Sequence, residues 1–182
     1  GALLFFRLMR LVLPSSVALF SVVLLCVAPL SPIMQVSYAE SMAGFLLTVV
    51  LYLLLTRRYL IMLPVIALLA LTRPAGLALA LALAMHVGYR WIVRRRDPFP
   101  VRERVGSIAA AVFSGMMGLA WPAIAWAVTG SPSAYTDTEL AWRAPYIGYQ
   151  ELVPFSAWIQ GAGFWMPGAV GLVVGRLAKA LG

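Results

Sequence analysis

From Leu11 to Leu30 the chain runs twenty residues without a charge. As a helix, about twenty apolar residues cover the roughly 30 Å of a bilayer's hydrocarbon core. In water such a run needs a core large enough to enclose it; in lipid it needs only a helix. Of the 182 residues, 63% are hydrophobic and 11% charged, against about 25% charged in an average soluble domain. A soluble core of this size cannot hide so much apolar surface, so lipid is the expected solvent. The predicted fold class is an all-α integral membrane protein, a single polytopic domain over residues 1–182. It has about six transmembrane helices and an N-terminal helix stub.

The remaining spans follow from where charges and prolines interrupt the apolar runs. Ser41–Thr56 is stopped by Arg57 and Arg58. Tyr59–Leu71 is short: its thirteen residues reach roughly 20 Å as a helix. It either dips, thins the bilayer or places Thr72 and Arg73 below the headgroups. Ala75–Val93 is rich in alternating Ala and Leu, which allows close helix contact. Val105–Val128 carries Gly115, Gly118 and Pro122, and Ala162–Val174 is the last span. Between them lie a basic loop, Arg94–Arg104, and a long polar and aromatic loop, Gly130–Gly161. Residue 1 is Gly, and apolar Ala2–Phe6 precedes Arg7 and Arg10. This reads as the tail of an earlier membrane helix, so the chain is expected to be a fragment lacking upstream helices and a first external loop.

The net charge of +8 has a membrane explanation. With Arg7 and Arg10 cytoplasmic and the spans alternating, Arg57, Arg58, Arg90, Arg94, Arg95, Arg96, Arg102, Arg104, Arg176 and Lys179 also fall inside. Only Arg73 and Arg143 fall outside, with the acids Glu40, Asp137, Glu139 and Glu151. This is the positive-inside pattern. It places a multi-pass protein in the cytoplasmic membrane and argues against nucleic acid as a partner. Cys26, the sole cysteine, makes no internal disulfide and reads as a small buried thiol. His86, the sole histidine, reads as a packing or interfacial residue.

Three segments meet on the non-cytoplasmic face: Ser31–Ser41, Thr72–Pro74 and Gly130–Gly161. Ser37-Tyr38-Ala39-Glu40 fits a capping box, as does Thr136-Asp137-Thr138-Glu139. Thr72-Arg73-Pro74 fits a helix start with Thr as N-cap. Glu40 and Glu139 thus have structural explanations beside functional ones. Trp142, Trp158 and Trp165, with Tyr135, Tyr146 and Tyr149, suit an interfacial aromatic belt. Arg73 after an unusually short span, and Arg143 beside Trp142, are harder to explain structurally. Charge at membrane depth is costly and is functional by default. Helix N-termini near Ser37, Thr72 and Ala162, joined by two arginines, suit a lipid-linked phosphate. Glu40, Asp137 or Glu139 would then handle sugar hydroxyls or accept a proton.

The order P-I-M-Q-V-S-Y-A-E-S, an apolar span, R-R, a short span, A-L-L-A-L-T-R-P-A-G-L and a basic loop resembles the PIG-V-like mannosyltransferases, relatives of GPI mannosyltransferase 2. The later A-Y-T-D-T-E-L-A-W-R resembles the external loop of their bacterial forms. The resemblance covers about Leu4 to Arg143. It implies a GT-C glycosyltransferase that takes mannose from a polyprenyl-phosphate carrier on the non-cytoplasmic face and passes it to a glycan or lipid acceptor. It also implies that the catalytic acid belongs to a first external loop, upstream of Gly1, with Glu40 a candidate contributor. Tyr38, Glu40 and Arg73 lie in the family's motif segments; Asp137, Glu139, Trp142 and Arg143 complete the candidate substrate-binding set. No metal site is expected, because the external acids show no ligand spacing, and no cofactor beyond the lipid-linked sugar. Two alternatives compete: a transporter or flippase for a lipid or small solute, and a non-enzymatic membrane scaffold. Transport is disfavoured by the uncharged span centres, although Pro122 and its neighbouring glycines keep it open. A scaffold leaves Arg73 without a reason.

Overall fold

The structure, a computed structural model, describes residues 1–28, 31–32 and 39–147. They belong to two compact units, residues 1–132 and a second unit that begins at Ser133. Among the described residues every regular element is helical. The order is α1 (Ala2–Met9), α2 (Ser15–Val27), α3 (Ala39–Leu55), α4 (Tyr59–Thr72), α5 (Gly76–Ile92), a 3-10 turn (Val93–Arg95), α6 (Val101–Gly118), α7 (Ala120–Thr129) and α8 (Ala134–Ile147).

In the first unit α5 lies against α6, α6 against α4, and α4 against α3, with α1 packed on α2 and α3. Short turns join α3 to α4 and α4 to α5, so neighbouring helices run antiparallel. The core between them is aliphatic: Val50, Met62, Ile66, Leu69 and Leu83 are at most 2% exposed.

The closest contact is made by small residues. Gly106, Ala110, Ser114 and Gly118 recur every four residues along α6, and so share one face. Gly76 opens α5 against the last of them. A Cβ on Gly76 would stand 2.5 Å from Gly118 Cα, and one on Gly118 would stand 2.6 Å from Leu77 N. The buried Ser114 hydroxyl donates to the Gly76 carbonyl at 2.9 Å. A Cβ on Gly106 would lie 3.1 Å from Tyr59 Cβ, so the same stripe seats α4. Small-residue stripes let backbones meet where lipid supplies no hydrophobic drive between helices.

Several boundaries differ from the sequence expectation. Leu11–Leu30 is not one helix: α2 covers only Ser15–Val27, with Pro14 as its N-cap residue. Pro14 has no N–H and restricts Leu13, so α1 cannot propagate through it. The span expected over Val105–Val128 begins four residues earlier and is interrupted at Leu119. Pro122 explains the break, because it cannot donate to the Gly118 carbonyl four residues back. The loop expected over Gly130–Gly161 contains α8. The span expected over Ala162–Val174 lies outside the described residues.

Two helices, Gly76–Arg95 and Val101–Thr129, are long and apolar enough to cross a membrane; α2, α3 and α4 are shorter apolar helices. Their outer faces carry Phe20, Leu60, Leu68, Leu81 and Met116, all more than half exposed. Hydroxyls on these helices turn inward on their own backbone. Ser21, Thr48, Thr56, Thr72 and Thr129 each donate to the carbonyl four residues earlier at 2.7–2.9 Å. This satisfies a polar group without water.

The stripe makes a paired prediction. Gly76→Ala drives a methyl into the α6 backbone and should cost about 1–3 kcal/mol. At Gly115 a Cβ makes ordinary contact, 3.8 Å from Ala80 Cβ, so Gly115→Ala should be neutral or stabilising by up to about 1 kcal/mol. Thermal unfolding of the two purified variants in detergent checks the contrast; equal midpoints would contradict the packing.

Candidate functional site

The antiparallel order brings the start of α3, the end of α4, the start of α5 and the end of α6 to one end of the first unit. Pro74 shapes this end. A residue before proline is pushed out of the helical region, and Arg73 is extended at φ −144° and ψ 144°. That stops α4 and turns the Arg73 side chain toward α3. Its Nη2 pairs with Oε1 of Glu40, in the first turn of α3. Glu40 Oε2 is buried and has no hydrogen-bond partner among the described residues. Trp121 Nε1–H donates to the Leu71 carbonyl at 3.2 Å, one of the C-terminal carbonyls that α4 cannot satisfy itself.

A cavity of about 510 Å³ lies between α1, α2 and α3 at the same end. Phe5, Leu25 and Phe45 make its walls apolar, with Ser31, Ser41 and Thr48 as polar points. Ser41 follows Glu40 directly, which sets the cavity beside the ion pair. Cys26 also lines it and is exposed, not buried as expected.

The candidate residues thus separate. Glu40 and Arg73 come together across 33 positions of sequence. Thr72 is not the N-cap of α5: it is the last residue of α4, its hydroxyl donates to the Leu68 carbonyl, and Ala75 holds the cap position. The extended Arg73 explains this, because it separates Thr72 from the next helix. Tyr38 and Ser37 lie outside the described residues, as do Tyr149, Trp158 and Trp165. Asp137, Glu139, Trp142 and Arg143 sit on α8 in the second unit. The capping box expected there is absent, because Thr136 already lies inside a helix that starts at Ala134. Instead Asp137 accepts from the Ser133 hydroxyl at 2.7 Å. Burial pushes the Tyr135 phenol above its usual pKa, and the charge of Glu139 and a hydrogen bond to it add to the shift. Trp142 is exposed.

The opposite end of the first unit holds an ionic network that the sequence reading did not anticipate. Arg90, near the end of α5, is buried with its side chain 6% exposed. It pairs with Asp97, donates to Glu103 at 2.8 Å and to the Pro98 carbonyl at 3.0 Å, and lies 5.1 Å from the Phe99 ring centroid. Arg57 reaches the same acids, at 2.6 Å from Asp97 and 3.4 Å from Glu103. Burial works to lower the Arg57 pKa, but Glu103 and Asp97 outweigh it and raise it.

Arg57 also occupies the left-handed region, at φ 58°. Its N–H bonds the Leu54 carbonyl and that of Arg58 the Leu53 carbonyl, the pattern of a Schellman helix ending where glycine is usual. An arginine there carries a backbone penalty of about 1–2 kcal/mol, offset by two ion pairs that glycine could not make. Two cations and two anions close the network. Beside it Tyr59 Oη and His86 Nε2 lie 3.2 Å apart. The available signal was the isolation of Asp97 and Glu103: two acids among many arginines are expected to be paired.

The two ends therefore respond differently to substitution. Arg90→Gln removes the buried donor to Asp97, Glu103 and the Pro98 carbonyl and leaves Arg57 alone on the two acids, which should cost about 1–3 kcal/mol. Arg73→Gln breaks one pair that the protein leaves half-exposed and should cost clearly less than Arg90→Gln. Unfolding midpoints in detergent separate the two, and similar losses would show that the Arg73 pair is structural. No family model, curated protein or solved structure matches this chain.

Proposed function

We propose that the chain belongs to a multi-pass membrane glycosyltransferase of the GT-C type. It moves mannose from a polyprenyl-phosphate carrier to a glycan or lipid acceptor on the non-cytoplasmic face, as the resemblance to PIG-V-like enzymes implies. Its spans alternate as the charge pattern requires, with the Arg57–Arg90 end cytoplasmic.

The observation that carries this reading is the position of the Arg73–Glu40 pair. Helix α4 has 14 residues and reaches roughly 21 Å, short of a bilayer core of roughly 30 Å. Residues Val101–Thr129 run for 29, enough to cross fully. Gly118 packs on Gly76 at the end where Arg73 lies, and ten residues of α7 follow it. Arg73 therefore falls at membrane depth, beside an apolar cavity. A fork of donors at that depth suits a phosphate whose lipid tail stays in the bilayer. Arg73 takes the carrier phosphate in exchange for Glu40, and the released carboxylate binds a sugar hydroxyl. Glu40 holds the guanidinium before substrate arrives, a positioning role that leaves the catalytic base to another residue.

The test uses the full-length protein in membranes. Arg73→Ala and Glu40→Ala should each lower transfer from polyprenyl-phosphate mannose at least about 100-fold, with normal insertion. Arg73→Lys should recover only part of the loss, because an ammonium lacks the fork. Full transfer by both alanine variants would sink the site assignment. Orientation has its own check. In a Cys26→Ser background, Arg95→Cys should react with an impermeant thiol reagent only from the cytoplasmic side, and Pro132→Cys, just beyond the Val101–Thr129 span, only from the other side.

A further inference from the structure

We propose that the Arg94–Trp91–Arg104 cluster, at the junction of α5 and α6, is a binding site for the phosphate of an anionic phospholipid. The proposal rests on the membrane placement but not on sugar transfer. The Arg94 guanidinium carbon lies 4.8 Å from the Trp91 ring centroid and that of Arg104 lies 5.4 Å from the same centroid. Each guanidinium thus lies against the same indole, whose ring attracts a cation. Arg104 Nε–H is also anchored on the Phe99 carbonyl at 2.8 Å, which orients its fork.

What distinguishes this pair is the absence of compensation. Eight arginines belong to this end of the first unit: Arg57, Arg58, Arg90, Arg94, Arg95, Arg96, Arg102 and Arg104. Its acids are Asp97 and Glu103. Both acids are engaged by Arg57 and Arg90. Among the described residues neither Arg94 nor Arg104 forms an ion pair with a carboxylate. Two uncompensated guanidinium groups gathered on one aromatic ring offer donors to the oxygens of a phosphodiester.

The surroundings select a lipid over a nucleic acid or an acidic protein. Tyr89, Ile92, Val101 and Val105 are 62–81% exposed around the cluster. The ligand must therefore offer apolar surface immediately beside its phosphate, as an acyl-chain lipid does. Trp91 is itself 45% exposed, as an interfacial indole would be.

Native mass spectrometry of the full chain in detergent, with added phosphatidylglycerol or phosphatidylcholine, tests the site without reference to sidedness or catalysis. The wild type should retain phosphatidylglycerol in preference to phosphatidylcholine. At about fivefold per cation, Arg94→Gln/Arg104→Gln should weaken phosphatidylglycerol binding at least tenfold. Arg95→Gln/Arg96→Gln removes the same charge outside the stack and should cost clearly less. Trp91→Leu keeps every charge and should still weaken binding severalfold, which preserves the test if the double variant does not fold. Equal losses in the two double variants would overturn the site in favour of a diffuse basic surface. Wild-type binding in Arg94→Gln/Arg104→Gln, or displacement of the lipid by short single-stranded DNA alone, would overturn it as well.

Discussion

The contact between Gly76 and the Ser114–Gly118 turn fixes how far apart α5 and α6 stand, and the rest of the first unit is built on that distance. Their backbones are so close that neither glycine can carry a Cβ without displacing the other helix. Ser114 completes the contact by satisfying the Gly76 carbonyl. Because α4 packs on the same α6 stripe through Tyr59 at Gly106, α4 is held against a fixed hairpin. The end of α4 then has little freedom. Leu71 meets Trp121 from α7, and Arg73 meets Glu40 from α3. A packing constraint made of hydrogen atoms and one hydroxyl thus decides where two charges meet.

The two ends of this unit solve opposite electrostatic problems. At the Arg57–Arg90 end many cations crowd together, and two carboxylates are drawn into a closed network that joins the α3–α4 turn to the α5–α6 connection. Arg57 accepts a left-handed backbone to take part. With Arg90 buried, that network is committed to structure. At the other end a single arginine meets a single carboxylate, with Arg73 and Glu40 half and one-third exposed. One carboxylate oxygen there has no partner among the described residues. Neither group is enclosed by the protein, so an incoming anion can take the place of Glu40 without leaving Arg73 unpaired.

Much of this architecture was legible in the sequence where charge or proline frames an apolar run. Ser41–Thr56, Tyr59–Leu71 and Ala75–Val93 correspond to α3, α4 and α5 within two residues, because Arg57, Arg73 and Arg94 mark their limits. Apolar runs are a poorer guide where a helix has a polar turn. The first turn of α6 contains Arg102, Glu103 and Arg104 and was read as loop; polar α8 was lost in the same way. Pro14 and Pro122 stand inside apolar runs, and each interrupts its run because it lacks the N–H that a continuing helix needs. The pairing of Glu40 with Arg73, and of Arg90 with Asp97 and Glu103, depends on how helices return to one another, which no local pattern encodes. Counting arginines for orientation treated Arg90 as a marker, although its burial makes it a structural ion.

The length of α4 connects these observations. A fully spanning helix would carry Arg73 to the headgroups, where water solvates a guanidinium and no partner is needed. With 14 residues α4 stops short, and on the proposed membrane reading Arg73 stays at a depth where an unpaired charge is costly. Glu40 from the start of α3 meets that requirement while the site is empty. A phosphate meets it equally well, and with more than one acceptor oxygen for the same fork. The short helix therefore makes Arg73 dependent on an anion and leaves open which anion it holds. On that proposed reading, Glu40 is the resident partner, the apolar cavity beside it takes the lipid chain of the donor, and the donor's phosphate competes with Glu40 for Arg73.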